Sequence, residues 1–278
     1  QNSITIGQFV ASEIVIILIL NSSEKLIMSM EAIYDVLTSI EKMGKVTDMA
    51  IEKDTANGIL LEKNVPLGVE MKNIDIYGIF EDERIKQDIS ISIKPNSNTC
   101  ITGDTGSGKS SIIKILSTAI NNYTGSMLFN GIPLQNLNIE ELRKDIGTIF
   151  NEQEIFYGTF IENISLGREG VTNEQVIALA KEVGLDRLAQ SFTNGYEHII
   201  VNSERVFSGT DRVRLLVARA LITSPRLVIV EDLFSSLRKD HSDHLLNLLL
   251  SKCKDKTLVI VSSNEQVIKE CDTLIELN

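Results

Sequence analysis

Basic stripes, paired cysteine spacings, low-complexity tracts and long apolar runs are all missing from this chain of 278 residues. The net charge is −11 and the Lys and Arg residues are scattered, which argues against nucleic acid as a partner, because phosphate-backbone contacts need clustered cations. Three cysteines, Cys100, Cys253 and Cys271, are odd in number and show no C-x-x-C spacing. Neither a disulfide framework nor a zinc site is expected, and buried reduced thiols in a cytosolic compartment are. The run from Ile14 to Leu20 is continuously apolar, but Gln8 and Glu13 lie before it and Asn21 to Lys25 after it. A bilayer span takes about 20 apolar residues, so this run is at most the end of one. Gln1 is not an initiator methionine and no charged segment with a cleavage site follows, so the chain is expected to start inside a longer polypeptide.

What is present is ordinary globular material, 43% hydrophobic and 23% charged, long enough for one large domain or two small ones. Its centre of organisation is Gly103-Asp104-Thr105-Gly106-Ser107-Gly108-Lys109-Ser110-Ser111, which satisfies the whole G-x-x-x-x-G-K-[ST] phosphate-loop pattern. Thr99-Cys100-Ile101-Thr102 before it is short, apolar and β-branched, and Ser110 to Ile120 after it has apolar residues at helical spacing. The loop therefore lies between strand and helix, as the motif requires. Its glycines let successive N–H groups and the helix N-terminus point into one concavity suited to phosphate oxygens. Lys109 is expected to reach the β- and γ-phosphates, and the Ser110 hydroxyl to take a place on Mg²⁺. A second signal is Leu227-Val-Ile-Val-Glu231-Asp232, an apolar strand ending in two carboxylates. Behind a phosphate loop such a strand delivers one acid to the Mg²⁺ shell, and its neighbour orients or deprotonates the attacking water. No Asn-Lys-x-Asp base-reading motif is found, so a GTPase is not expected.

Along the chain, Leu26, Met30, Ile33, Leu37 and Ile40 recur at spacings of four and three, with Glu24, Glu31, Asp35 and Glu41 between them: one stripe of a long amphipathic helix. Gly44 and the polar run from Thr47 to Pro66 end that helix and read as a linker. A nucleotide-binding domain starts near Leu67, with strand-like spacing at Val69, Met71, Ile74 and Ile76 and again at Ile89, Ile91 and Ile93. Asn130-Gly131 between two apolar runs reads as a tight hairpin. From about Gln153 to Ile222 helical patterns dominate, notably Asn173 to Val183 and Arg212 to Leu221, which makes this an inserted helical subdomain. Strand patterning returns at Leu227 to Val230, Thr257 to Val261 and Leu274 to Leu277, with an amphipathic helix near His241 to Leu250. The fold class is therefore α/β, a phosphate-loop core with a mixed sheet, an inserted helical subdomain and a long helix in front. His241 and His244, with Asp240 and Asp243, have one-turn spacing but lack a further ligand, so a helix face and not a metal site is expected.

The phosphate loop, helical insert, Phe207-Ser-Gly-Thr-Asp-Arg212, Ala218-Arg219-Ala220-Leu221, the Glu231-Asp232 strand and Ser235-Ser236-Leu237 follow one another in the order and spacing of ATP-binding cassette transporters. The chain resembles that family over residues 67–278, and Leu137 to Gly167 looks like its exporter branch. The resemblance implies that residues 1–48 are the end of the last transmembrane helix with its connecting helix, 49–66 a linker, and 67–278 the nucleotide-binding domain. It implies ATP and Mg²⁺ as ligands and a second half-transporter as partner, identical or not. It also implies a place in the cell membrane, held by the protein's own transmembrane domain, with the nucleotide domain on the cytoplasmic side.

Only the phosphate loop matches the family in full. Where exporters place a Gln that touches Mg²⁺, this chain has Asn151, one methylene shorter. The signature, ordinarily Leu-Ser-Gly-Gly-Gln, reads Phe207-Ser208-Gly209-Thr210-Asp211. By resemblance Ser208 and Gly209 cap the γ-phosphate of the opposing subunit's ATP, while Thr210 adds bulk and Asp211 adds negative charge. Glu231 stands in place of the metal-associated Asp, Asp232 in place of the catalytic Glu, and Ser263 in place of the γ-phosphate His. Arg238 replaces the Asp that closes the D-loop, and the adenine-stacking aromatic falls at Gly78 with Tyr77 beside it. Misplacing a catalytic group by roughly 1 Å loses on the order of a hundredfold in rate, and Ser263 lacks the imidazole donor. ATP binding is expected to outlast hydrolysis. The alternative is a regulatory or scaffold cassette that binds ATP and scarcely hydrolyses it. A soluble DNA-repair ATPase would need a long coiled-coil insert, and the gap from Ser111 to Phe207 has none.

Overall fold

The computed structural model describes residues 5–48, 55–77, 84–201, 207–234 and 237–277, with 84 and 85 described by backbone alone. Two compact units divide the chain, Gln1–Asp54 and Thr55–Asn278.

In the first unit the apolar run belongs to one helix, α1 (Ile6–Thr47), opened by a capping box in which Thr5 Oγ1 accepts from Gln8 N and Gln8 Oε1 accepts from Thr5 N. At 42 residues it is long and apolar enough to cross a membrane, more than the short apolar run foretold. Its hydroxyls turn inward on the backbone, Ser12 donating to Gln8 O, Ser22 to Leu18 O, Ser29 to Lys25 O and Thr38 to Tyr34 O. Hydrogen-bonding groups satisfied within the helix suit an apolar surrounding. Two expectations change here. Gly44 does not end the helix, which runs on to Thr47, since one glycine lowers helix stability by only about 1 kcal/mol. The stripe is not a single face either, because Ile27, Met28, Tyr34 and Val36 fill the gaps between Leu26, Met30, Ile33 and Leu37, all of them exposed.

The second unit begins at Thr55, and residues 55–66, expected to be linker, are tied down. Ile59 N donates to Asn136 O and Ile59 O accepts from Asn138 N, forming a parallel bridge with Leu137. Thr55 Oγ1 accepts from Ile139 N, and Arg226 donates to Val65 O. These are pairings with chain 70 to 160 residues away, which no local pattern announces. Residues 49–54 of the expected linker lie outside the described residues.

Strands β1 (Val69–Tyr77), β2 (Arg84–Ile93), β4 (Tyr123–Phe129) and β5 (Ile132–Pro133) form an antiparallel sheet in the order β2-β1-β4-β5. The β4–β5 connection is the Asn130-Gly131 hairpin, with φ of 47° and 80°, the left-handed pair that two-residue hairpins favour. The central sheet comprises β3 (Asn98–Gly103), β6 (Ile146–Ile149), β9 (Leu227–Val230), β10 (Thr257–Val261) and β11 (Thr273–Leu277), all parallel in the order β11-β3-β10-β9-β6. The α/β class is as expected, and its longer strands are divided between a parallel and an antiparallel sheet.

Side-chain alternation divides the core into two. Leu227, Ile229, Val259 and Val261 face one cluster, with β1, α2 (Lys109–Leu116) and Phe129. Val228, Val230, Leu258 and Ile260 face the other, with Phe160, Leu215, Leu216 and Leu245. The second cluster belongs to the helical subdomain, which follows α3 (Ile139–Lys144) and β6 and contains a two-residue strand pair, β7 (Gly158–Thr159) and β8 (Ile199–Ile200). It also contains α4 (Phe160–Ser165), α5 (Asn173–Glu182), α6 (Asp186–Gln190) and α7 (Gly209–Leu221). Helices α8 (Lys239–Lys252) and α9 (Glu265–Lys269) flank β10. Thr159 with Glu162 and Thr172 with Gln175 make capping boxes that fix the starts of α4 and α5. The thiols are free, Cys100 and Cys253 buried as expected and Cys271 partly exposed, which was not.

Strand β6 and the end of α7 meet so closely that a Cβ on Gly147 would lie 2.6 Å from Ala220 O and 2.7 Å from Pro225 Cγ. Gly147→Ala is expected to lower stability by about 1–3 kcal/mol through overpacking, read as a lower urea midpoint; an unchanged midpoint would contradict this contact.

Candidate functional site

Parallel register puts the carboxyl ends of β3, β6, β9 and β10 on one edge, with Ile149 and Val230 side by side and Val261 beside Ile101. The loops that leave this edge carry the site, as in other open α/β sheets. The phosphate loop leaves β3 at Gly103, whose φ is 149° and where a Cβ would lie 2.3 Å from Leu277 O and 2.8 Å from Ser107 Oγ. Only glycine fits there. Ser107 N donates to Asp104 O at 3.1 Å to close the turn. Gly108, at φ 86°, is the N-cap of α2, and no side chain caps it. The first N–H groups of α2, on Lys109, Ser110 and Ser111, therefore look into the concavity of Asp104, Thr105 and Gly106. Lys109 Nζ folds back over its own loop, donating to Gly103 O and Asp104 O at 2.6 Å each and to Ser107 Oγ at 3.3 Å.

Three residues expected at the metal converge. Ser110 Oγ donates to Glu231 Oε1 at 2.8 Å, and Asn151 N donates to Glu231 Oε2 at 2.9 Å. Asn151 Nδ2 reaches Asp232 O at 3.4 Å, and Glu231 N is held by Ile149 O at 2.8 Å. A hydroxyl, a carboxylate and an amide are the hard oxygen donors that suit Mg²⁺. Asp232 follows on the same edge, half-buried. Ser263 is exposed just beyond Ser262, whose N–H donates to Ile101 O at 3.2 Å beside the root of the phosphate loop. Tyr77 closes β1, its N–H donating to Asn122 O. Gly78, Ser235 and Ser236 lie outside the described residues.

Ser208 and Gly209 stand elsewhere. Ser208 is the N-cap of α7, and the two line a cavity of about 510 Å³ with Phe156, Tyr157, Phe207 and Arg212. Asp211 is ion-paired with Arg214 at 3.1 Å, so the negative charge expected at the signature is locally balanced. Thr210 Oγ1 lies 3.5 Å from His241 Nδ1, and His244 Nε2 lies 3.1 Å from Glu182 O, uses that leave both histidines to packing.

Two arginines matter more than the motif alone revealed. Arg212 donates to Asn151 O at 3.1 Å and Gln153 O at 2.6 Å, tying the signature helix to the segment that carries Asn151. Its one trace in the sequence is a cation in the first turn after Ser208. Arg219 is buried and donates to Asn163 O, Glu154 O and Asn163 Oδ1, a packing role. Burial, with the like charges of Arg168 and Arg212, pushes its guanidinium down to about 10.

A family model described as ABC transporter matches residues 86–235, more than half of the chain. The alpha-hemolysin translocation ATP-binding protein HlyB of Escherichia coli O157:H7 is 27% identical over 278 residues, all of this chain and 39% of that protein. The ATP-dependent lipid A-core flippase of Pseudoalteromonas atlantica is 29% identical over 231 residues, 83% of this chain and 39% of that protein. Among solved structures, a bacterial Atm1-family ABC exporter with ATP bound superposes with a TM-score of 0.77 over 88% of this chain and 43% of that one, at 23% identity, a likeness of fold. The chain spans about two fifths of the length of the curated relatives it matches.

Replacing the Glu231 carboxylate removes the charge that holds Ser110 and Asn151 together. Glu231→Gln is expected to raise the Mg²⁺ concentration needed for tight nucleotide binding by about tenfold or more. Titrating Mg²⁺ against a fluorescent nucleotide reads this directly, and superimposable curves would remove Glu231 from the metal site.

Proposed function

This chain belongs to the ABC transporter family, and from that premise we propose that it is the nucleotide-binding part of an exporter half-transporter. In this reading ATP draws two cassettes together, their closure moves the attached membrane helices, and hydrolysis resets them. The observation that supports it is the Ser110–Glu231–Asn151 cluster beside the phosphate loop, an oxygen-donor set that would suit a metal-bound triphosphate. Lys109 moves from the carbonyls of Gly103 and Asp104 to phosphate oxygens, a change of acceptor from neutral to charged that favours the bound state. Ser110, Glu231 and Asn151 would hold Mg²⁺, which would supply neutralisation of phosphate charge. Asp232 is the base that takes the proton of the attacking water, with a side chain one methylene shorter than the family's Glu. Ser263 offers a hydroxyl in place of an imidazole.

Hydrolysis is accordingly slow and binding is retained, because the two depend on different atoms. Helix α1, long and apolar enough for a membrane, is the end of the transmembrane domain and its connection. The partner is a second half-transporter, the site is the cell membrane, and the cassette faces the cytoplasm. A nucleotide-binding scaffold with negligible hydrolysis is the second reading, favoured by Asp232 and Ser263 standing where the family carries Glu and His.

Phosphate release from Mg-ATP separates the two. Slow turnover that Asp232→Asn removes, and that Asp232→Glu raises by about tenfold to a hundredfold, is expected of a weakened ATPase. A rate equal to that of Asp232→Asn, with nucleotide binding intact, makes the chain a scaffold. Loss of nucleotide binding in Lys109→Ala is expected in either case, and unchanged affinity there would overturn both.

A further inference from the structure

We propose that Asp211 and Arg214 form a latch that holds the signature serine, so that Ser208 must be released before it can engage a phosphate. Ser208 Oγ accepts from Asp211 N at 3.2 Å, as an N-cap does, but it also donates its own proton to Asp211 Oδ2 at 2.7 Å. That second bond is short and charge-assisted, the stronger kind. A serine hydroxyl has one proton, and phosphate oxygens only accept, so a Ser208 bound to Asp211 has nothing to donate to an incoming γ-phosphate.

Arg214 keeps the latch closed. Its Nη1 lies 3.1 Å from Asp211 Oδ1, and the two side chains are only 18% and 19% exposed, where water screens the pair less. The guanidinium lies against Gly184, where a Cβ would come within 3.4 Å of its Cζ and Nε. Among the described residues its Nε is buried without a hydrogen-bond partner, while its Nη1 bonds Asp211. The other nearby carboxylate, Asp186, is occupied by Tyr196 Oη and Gln190 Nε2. Arg214 therefore both neutralises Asp211 and orients it toward Ser208, which makes Arg214 a positioning residue and Asp211 the residue through which it acts.

The consequence for phosphate engagement rests on the exporter reading above, while the latch itself does not. Opening the latch trades the Ser208–Asp211 bond for a Ser208–phosphate bond and leaves Asp211 paired with Arg214. A chain with an uncharged amide at 211 has no such bond to break, and the freed Arg214 adds positive charge beside the signature.

Two measurements test this on the whole chain. In urea unfolding, Asp211→Asn, Arg214→Met and the double variant form a cycle. The double variant's unfolding constant is expected to differ by about threefold or more from the product of the single effects, and Arg214→Lys to recover part of that coupling. Unfolding constants that simply multiply would overturn the latch. In sedimentation with Mg-ATP, Asp211→Gln is expected to lower the nucleotide concentration for half-maximal association by about threefold or more, and Arg214→Met, which loosens the latch but leaves the Asp211 charge in place, to lower it by less. Association that is identical in all variants overturns the gating role. Absence of association in the parent chain and every variant counts against the exporter reading, and the unfolding cycle then decides the latch by itself.

Discussion

Glu231 is the point on which the site depends, because one carboxylate takes bonds from two segments that arrive by different strands. Ser110 comes from the helix after β3 and Asn151 from the loop after β6, while Glu231 itself directly follows β9. Bonds to a charged acceptor contribute about 1.5–3 kcal/mol each, and here they also fix relative position. A parallel sheet makes this convergence possible, since every strand delivers its last residue to the same edge. The extra methylene of Glu231 over an aspartate is compatible with its direct contact to Ser110.

The same loop connects the two cores. Asn151 is bonded through its N–H to Glu231 at the sheet edge and through its carbonyl to Arg212 of the signature helix. Arg212 holds Gln153 O as well, and two residues of Arg219 hydrogen bonding, to Glu154 and Asn163, extend the tie into α4. A rotation of the helical subdomain against the sheet would therefore pull on the backbone beside the Glu231 carboxylate. Hydrophobic packing alone would let the two layers slide with little directional preference; the arginine bonds set the direction.

What the sequence disclosed and what it hid divide along a physical line. The phosphate loop was legible because its conformation is dictated locally: Gly103 has no room for a Cβ, and Gly108 adopts a left-handed φ. The buried strands Leu227–Val230 and Thr257–Val261 were legible as continuous apolar runs, and Asn130-Gly131 as a hairpin. Residues 55–66 were not, because they are ordered by Asn136, Asn138, Ile139 and Arg226, far along the chain. Strands β7 and β8, two residues each, are too short to show a period. Asp211 and Arg214 stood at readable helical spacing, but the seizure of Ser208 by that pair depends on where its one hydroxyl proton points.

On the proposed reading, holding a triphosphate and cutting it rest on different kinds of structure. The holding groups would be backbone N–H donors at the start of α2, a lysine bonded to loop carbonyls, and a carboxylate locked by two bonds. Such groups are fixed by the fold and tolerate changes elsewhere. On the proposed reading the cutting groups, Asp232 and Ser263, are single side chains whose value would lie in reach to within about an ångström. Their replacement is compatible with the fold's own contacts, in which Glu231 N bonds Ile149 O and Ser262 N bonds Ile101 O. On that reading reach would be lost without loss of the cradle, and a nucleotide grip would outlast turnover.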